Sequence, residues 1–301
     1  MVEKYFVRAV FLMILLFHTL LQGQERYKDS LFSTIGIKTL TYADTLQLDF
    51  YSPKNDTVQK RPLLLLVHGG GFASGKRDNP LERKFCKKMA HKGYAVASIS
   101  YRLVRKGKGF GCDCPSVEKV ETFKQATQDV ARAINFLDER GDELGIDSEK
   151  VVLVGSSAGA EAVLNTVFMQ YHHDFKGISF PKKRFAGVVS FAGAVLHIDY
   201  IAQETAVPTL LYHGEMDGLV PYGAAPHHYC DPRSEGYLIL GGSQAIAERL
   251  TQLDMSYTLM YDPKGNHDWA NLAYARTDEV SEFIKEVILD GVFTQSKIRL
   301  E

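Results

Sequence analysis

The sequence contains a serine in the setting of an enzymatic nucleophile. Ser157 is the central residue of the pattern Gly155-Ser-Ser-Ala-Gly159, which directly follows the apolar run Val151–Val154. Small flanking residues permit a sharp strand-to-helix turn that projects the central hydroxyl at the N-terminus of the following helix. Such a serine could attack an acyl carbon if a histidine removed its proton. The neighbouring Ser156 stands off the central position, and we assign it a structural role.

A glycine-rich loop supplies candidate donors for the negative charge that acyl transfer creates. The stretch His68-Gly-Gly-Gly-Phe72 follows the apolar run Pro62–Val67. Glycines leave backbone N–H groups unobstructed, so Gly70 and Gly71, together with Ala158, are the candidate oxyanion hole. The alternatives are a glycine-rich turn without chemistry and a phosphate loop, but the G-x-x-x-x-G-K-[ST] pattern of the latter is absent.

Strand and helix patterns alternate along the chain, and these chemical residues stand where strands end. Short apolar runs predict strands buried on both faces, with helical spacing between them. The alternation predicts an α/β fold, a doubly wound and mostly parallel sheet with helices on both faces. Before it, Ile37–Tyr51 predicts an antiparallel pair turning at Ala43-Asp44. The predicted strands are Pro62–Val67, Tyr94–Ser100, Val151–Gly155, Phe185–Phe191, Pro208–His213 and Tyr257–Tyr261, and the predicted helices are Leu81–Lys92, Val117–Arg140, Ala158–Gln170, Ser243–Leu253 and Thr277–Leu289.

Four motifs together resemble an α/β-hydrolase of the HGGG carboxylesterase and lipase type. They are HGGGF at 68–72, GSSAG at 155–159, HGEMDGLVP at 213–221 and GNHDW at 265–269. The similarity extends over most of the chain and implies the α/β-hydrolase fold, with nucleophile, acid and histidine in that chain order. It implies no particular substrate, because the superfamily shares this skeleton across ester, amide and peptide hydrolases.

The implied order leads to an acid and a base. Asp217 lies four residues past the Pro208–His213 run and is the expected acid. His267 follows the last predicted strand through a turn and is the expected base. A Ser157–His267–Asp217 triad requires no metal and no organic cofactor. The remaining candidates are Asp199 and Asp231 for the acid, and His227 and His228 for the base.

The first 23 residues are typical of a secretory signal peptide. Lys4 and Arg8 precede or border the apolar stretch Ala9–Phe17, and no charge follows until Glu25. A spanning helix needs about 20 apolar residues, and polar residues interrupt this run earlier. We expect a signal peptide at 1–23 and one α/β-hydrolase domain at 24–301, in a secreted or periplasmic protein without stable membrane insertion after cleavage. An uncleaved anchor is the alternative.

Cysteine usage in an exported chain favours disulfides. Cys86, Cys112, Cys114 and Cys230 permit three pairings that the sequence does not rank. A bridge from Cys112 or Cys114 to Cys230 would join two long loops at 104–116 and 216–236, which we expect to wall the pocket. The alternatives are metal ligation by the Cys-Asp-Cys and His-His-Tyr-Cys clusters, and four unpaired thiols.

Charge and composition limit the classes of function that are open to the protein. The chain holds 35 Lys+Arg against 36 Asp+Glu, without a basic tract that could follow a phosphate backbone, so a nucleic-acid partner is excluded. We expect a secreted serine carboxylesterase that takes a small-molecule or oligosaccharide ester with a short acyl group. Four aromatic residues expected near the site are compatible with acetyl or feruloyl esters of polysaccharides. The alternatives are a peptidase or amidase on the same fold and a non-catalytic binding protein. These aromatic residues are Tyr101, Phe110, Tyr222 and Tyr229.

Overall fold

A nine-stranded sheet runs through the protein, which we describe from a computed structural model covering residues 25–300. The strand order is β1-β2-β4-β3-β5-β6-β8-β11-β12, and β7, β10 and β9 form a second, small sheet. The expected signal peptide at 1–23 lies outside the described residues. The strands are β1 (Ile35–Ala43), β2 (Leu46–Pro53), β3 (Arg61–Val67), β4 (Ala95–Ile99), β5 (Ile146–Ser156), β6 (Gly187–Phe191), β7 (Ala194–Val195), β8 (Thr209–Gly214), β9 (Ala224–Pro226), β10 (Ile239–Gly242), β11 (Tyr257–Asp262) and β12 (Gln295–Arg299).

Helices cover both faces of the large sheet, as the alternating pattern predicts. In the spatial order of that sheet, the seven strands β4, β3, β5, β6, β8, β11 and β12 run parallel to one another. The other two strands, β1 and β2, form the predicted antiparallel pair at one edge. The helices are α1 (Pro80–His91), α2 (Ser116–Asp138), α3 (Gly141–Leu144), α4 (Ala158–Phe168), α5 (Ser243–Gln252), α6 (Trp269–Leu272) and α7 (Thr277–Phe283), the last continued by a π-helical segment at Ile284–Leu289.

Strand β3 shows why its sequence is apolar from Pro62 to Val67. All seven of its residues are buried, and successive side chains enter different cores. Leu63 and Leu65 pack in the cluster that contains side chains of α2, α4 and α5, whereas Leu64 and Leu66 pack with side chains of α1 and α7. A strand between two helical layers needs apolar residues at both parities, since neither face meets water.

The small sheet and the last strand of the large sheet were not anticipated by the sequence patterns. Strands β7 and β9 are two and three residues long, which is too short for a period-two pattern to register. Strand β9 interrupts what we expected to be a continuous loop at 216–236. Strand β12 lies at the edge of the large sheet with polar, largely exposed residues. None of the helices between residues 25 and 300 combines the length and apolar character needed to cross a bilayer.

Candidate active site

Ser157 occupies a strained turn between β5 and α4. Its backbone has φ 51° and ψ −123°, in the left-handed region that costs a non-glycine residue free energy. The turn requires small neighbours: a Cβ on Gly155 would lie 2.3 Å from the Gly159 carbonyl oxygen, and one on Gly159 would lie 2.1 Å from the Val67 carbonyl oxygen. Ser156 points away, because its hydroxyl donates a hydrogen bond to the Ala270 carbonyl at 2.7 Å.

The loops after β8 and β11 bring an acid and a histidine to this serine. Ser157 Oγ lies 2.8 Å from His267 Nε2, and His267 Nδ1 lies 2.7 Å from Asp217 Oδ2. Strands β8 and β11 are adjacent and parallel, so their carboxyl ends meet at one edge. The two loops touch there, since a Cβ on Gly214 would approach Gly265 to 2.3 Å. The three residues expected from the sequence are thus joined in one hydrogen-bonded chain.

Asp217 is held as a carboxylate. Its Oδ1 accepts hydrogen bonds from the backbone N–H groups of Leu219 and Val220, at 2.8 and 3.0 Å. Burial by itself raises the pKa of Asp217, but hydrogen bonds with His213 and His267 outweigh it, and the pKa lies well below its ordinary value. The ionised carboxylate can therefore orient His267 and stabilise its protonated form.

The other candidate acids do not reach His267. Asp199 and Asp231 are exposed, and Asp231 pairs with Arg233 at 3.0 Å.

His213 is a buried residue at the end of β8 that supports the loop carrying Asp217. Its Nδ1 lies 2.8 Å from the Ser243 hydroxyl, and its Nε2 lies 3.1 Å from the Val220 carbonyl oxygen.

The glycine loop presents free backbone donors beside the serine. Gly70 and Gly71 have φ values of +115° and +59°, which glycine adopts without steric cost. Among the described residues, the N–H groups of Gly70, Gly71 and Ala158 donate to no acceptor. His68 stacks on Tyr101 at 4.5 Å and supports the loop from behind, and the Tyr101 hydroxyl donates to the His68 carbonyl at 3.0 Å.

A cavity of about 590 Å³ opens over Ser157. Both long loops contribute to its wall, through Phe110 on one side and Leu219, His227 and His228 on the other. Of the four aromatic residues named from the sequence, Phe110 is the one found in the lining. Tyr101 is instead buried beneath the glycine loop. Tyr222 and Tyr229 are not among the lining residues either.

A disulfide between Cys112 and Cys230 joins the two loops. This is one of the pairings that the sequence left open, and the bond lies at the cavity wall. Cys86 and Cys114 are unpaired and buried. Lys119 of α2 supports the same wall, since its buried ammonium donates a hydrogen bond to the Gly236 carbonyl at 2.7 Å.

Two acidic side chains in the cavity lining escaped the sequence analysis. Glu161 and Glu82 both line the cavity and are buried. Glu161 could have been found, because a helix brings the fourth residue after Ser157 back to the same face. Glu82 belongs to α1, whose position beside the site depends on the tertiary fold.

The architecture matches solved structures over most of its length. Thermogutta terrifontis esterase 2 phosphorylated by paraoxon superposes with a TM-score of 0.59 at 19% identity, covering 88% of this chain and 98% of the other. Esterase B from Lactobacillus Rhamnosis gives a TM-score of 0.58 at 17% identity, covering 95% and 94%. This chain has the α/β-hydrolase fold. The motifs implied this fold, in which a mostly parallel sheet carries helices on both faces.

Sequence comparisons match part of this chain. The BD-FAE family model matches residues 48–195, which include the glycine loop and Ser157. Gut esterase 1 of Caenorhabditis elegans is 29% identical over 159 residues, which are 50% of this chain and 25% of the relative. Ethyl acetate hydrolase of Pseudomonas putida is 29% identical over 117 residues, 38% of this chain and 32% of the relative. The chain therefore spans about a quarter to a third of the length of these relatives.

Proposed function

We propose that the protein is a serine carboxylic ester hydrolase. The observation that carries the proposal is the continuous chain from Asp217 through His267 to the Ser157 hydroxyl, at the floor of a cavity and beside free backbone donors. Esterases among both the sequence relatives and the structural neighbours support ester hydrolysis as the reaction.

The proposed reaction proceeds through an acyl-enzyme. His267 Nε2 takes the proton of the Ser157 hydroxyl while Oγ attacks the acyl carbon, and the negative charge on the carbonyl oxygen is stabilised by the N–H groups of Gly70, Gly71 and Ala158. The alcohol leaves with the proton held by His267. Water, deprotonated by the same histidine, then attacks the acyl carbon and releases the carboxylic acid and Ser157.

We further propose that the ester carries a short acyl group and that the protein acts outside the cytoplasm. The sequence has no long insertion of the kind that forms a lipase lid. The Cys112–Cys230 disulfide agrees with export, because such bonds persist in oxidising compartments. A signal peptide at 1–23 and a domain at 24–301 are part of this proposal. Acetyl and feruloyl esters of oligosaccharides are the polymer-derived substrates to test first.

A substrate panel with serine variants tests the proposed reaction. The panel contains p-nitrophenyl acetate and butyrate, acetylated and feruloylated oligosaccharides, and peptide anilides. We expect ester turnover by the wild type and a loss of about 10⁴-fold or more in kcat for Ser157→Ala. Ser156→Ala, which removes the adjacent hydroxyl that bonds to Ala270, should stay within tenfold of wild type.

Three results would contradict the proposal. Ester turnover that survives Ser157→Ala would remove this serine from the mechanism. A preference for anilides would favour a peptidase or amidase instead, and inactivity across the whole panel would favour a binding protein.

A further inference from the structure

A buried polar pair lines the cavity one helical turn beyond the nucleophile. Glu161 belongs to α4 and is 2% exposed, and His227 belongs to the disulfide-bonded loop and is 1% exposed. Glu161 Oε1 and His227 Nε2 lie 3.3 Å apart but are not aligned as a hydrogen bond. The proposed reaction uses neither residue.

The pair retains unused hydrogen-bonding capacity. Glu161 Oε1 and His227 Nδ1 have no hydrogen-bond partner among the described residues. Buried polar atoms are normally paired, because an unpaired donor or acceptor has lost its water without replacement. Two unpaired atoms on one pair of cavity-lining residues therefore point to a partner supplied by a ligand.

The surroundings of the pair make it rigid and uncharged. The His227 ring packs edge-on against Phe110 at 5.2 Å, and its backbone N–H donates to Leu238 at 2.8 Å. Burial raises the pKa of Glu161 well above its ordinary value, and the nearby Asp217 charge adds to this. Burial also lowers the pKa of His227 well below its ordinary value. These shifts favour the neutral form of both groups, and in that form each can donate and accept hydrogen bonds.

We infer that Glu161 and His227 form a hydrogen-bonding site for a hydroxyl group of the ester substrate, and that this site gives the enzyme a preference for hydroxylated esters. The inference rests on the proposed ester hydrolysis. A hydroxyl donates and accepts at once, which matches a carboxylic acid beside a neutral imidazole. An alkyl chain at the same place would leave the pair unsatisfied, and sites built for a hydroxyl discriminate strongly against analogues that lack one.

The hydroxyl could belong to the alcohol or to the acyl part of the ester, and two matched substrate pairs distinguish these sources. Glycerol monoacetate against propyl acetate varies the alcohol, and ethyl lactate against ethyl propionate varies the acyl group. Acid release is titrated to obtain kcat/KM for each ester. We expect wild type to prefer the hydroxylated member of one pair by about tenfold, the effect of one well-placed hydrogen bond.

Variants at the pair test whether these side chains cause the preference. Glu161→Met keeps the length of the side chain without polar atoms and should reduce the preference ratio to about one, as should His227→Leu. Glu161→Gln keeps a donor and an acceptor and should retain the ratio within about threefold. The exposed His173 lies outside the cavity lining, so His173→Ala should change neither the ratio nor the basal rate.

The outcomes separate this inference from the proposed reaction. Turnover of all four esters without a hydroxyl preference, or a preference that persists in folded Glu161→Met and His227→Leu, would overturn the inference alone. If the wild type hydrolyses none of the four esters, both the proposed reaction and the inference are overturned. Circular dichroism of each variant identifies any loss of folding, and His227→Leu supplies the test if Glu161→Met fails to fold.

Discussion

At the scale of single residues, the environment around Ser157 assigns opposite charge states to two carboxyl groups. Asp217 receives hydrogen bonds from backbone N–H groups and contacts two histidines, and it stays ionised. Glu161 lacks such donors, and burial together with the nearby Asp217 charge raises its pKa well above the ordinary value, which favours the protonated form. The difference suits a site in which one carboxylate orients His267 and the other carboxyl group contacts the substrate.

The protonated state of Glu161 predicts a pH dependence of stability. The pKa of Glu161 is raised by folding, so the folded protein holds a proton that the unfolded chain releases above its ordinary pKa of 4.5. The free energy of unfolding therefore falls as pH rises above that value, by at most about 1.4 kcal/mol per pH unit for one proton. Glu161→Gln removes this dependence, and its stability relative to wild type should increase as pH rises above 4.5.

Urea unfolding at several pH values measures this difference. Glu149→Gln, at an exposed position, serves as the control and should show no comparable trend. A stability difference between Glu161→Gln and wild type that stays constant across the range would mean that Glu161 is ionised in the folded protein.

At the scale of elements, the wall of the cavity depends on a bond between two loops. The Cys112–Cys230 disulfide connects positions 118 residues apart in sequence, close to Phe110 on one loop and His227 on the other. Two backbone hydrogen bonds join the same loops, from the Gly236 N–H to the Cys112 carbonyl at 3.0 Å and from the Ser116 N–H to the Glu235 carbonyl at 2.8 Å. We therefore assign to the disulfide, together with Lys119, the role of fixing the wall relative to Ser157.

Removal of the disulfide should weaken both the fold and substrate binding. For the double variant Cys112→Ser/Cys230→Ser we expect the free energy of unfolding to fall by about 2–4 kcal/mol, because the closed loop is long. KM should rise more than kcat falls, since Ser157 and His267 lie on elements that the bridge does not join, and Asp217 is held at the start of its loop by the backbone N–H groups of Leu219 and Val220. Cys114→Ser, two residues from the bridge, is the matched control.

Urea unfolding and ester kinetics measure these effects, and non-reducing peptide mapping checks the pairing. If Cys114→Ser reproduced the double variant, or if mapping found Cys114 bonded to Cys230, the assigned connectivity would be wrong.

At the scale of the whole molecule, the near-neutral charge bears on the proposed substrate, and the proposed export signal bears on the proposed compartment. A formal net charge of −1 provides no long-range attraction for a strongly charged substrate. The Cys112–Cys230 disulfide is of a kind that persists in oxidising compartments. Both features agree with a neutral ester met outside the cytoplasm.

The proposed signal predicts the start of the mature chain. When the full sequence is produced in a bacterium with a secretion pathway, we expect the protein in the periplasm or medium with Gln24 as its first residue. Mass spectrometry and N-terminal sequencing measure this, and a chain lacking residues 1–23 is the control that should remain in the cytoplasm. A membrane-bound protein that retains Met1 would instead establish the uncleaved anchor.

The features that the sequence determined are local. Buried strands and amphipathic helices appear as periodic apolar residues, and the elbow around Ser157 appears as small residues at close positions, because both constraints act within a few residues. Strand β3 and helix α2 were therefore placed within two residues of their observed ends. The short strands β7 and β9 were missed, because their pairing partner β10 is distant in sequence and their own residues carry no pattern.

Only the tertiary structure decided the contacts between distant segments. The sequence left the partner of Cys230 open, and the relative placement of two loops selected Cys112 rather than Cys114. Likewise, nothing in the sequence joins Glu161 to His227. They meet because a helix on the sheet and a loop after β8 converge over the same strand ends, and desolvation there changes the proton affinity of both groups.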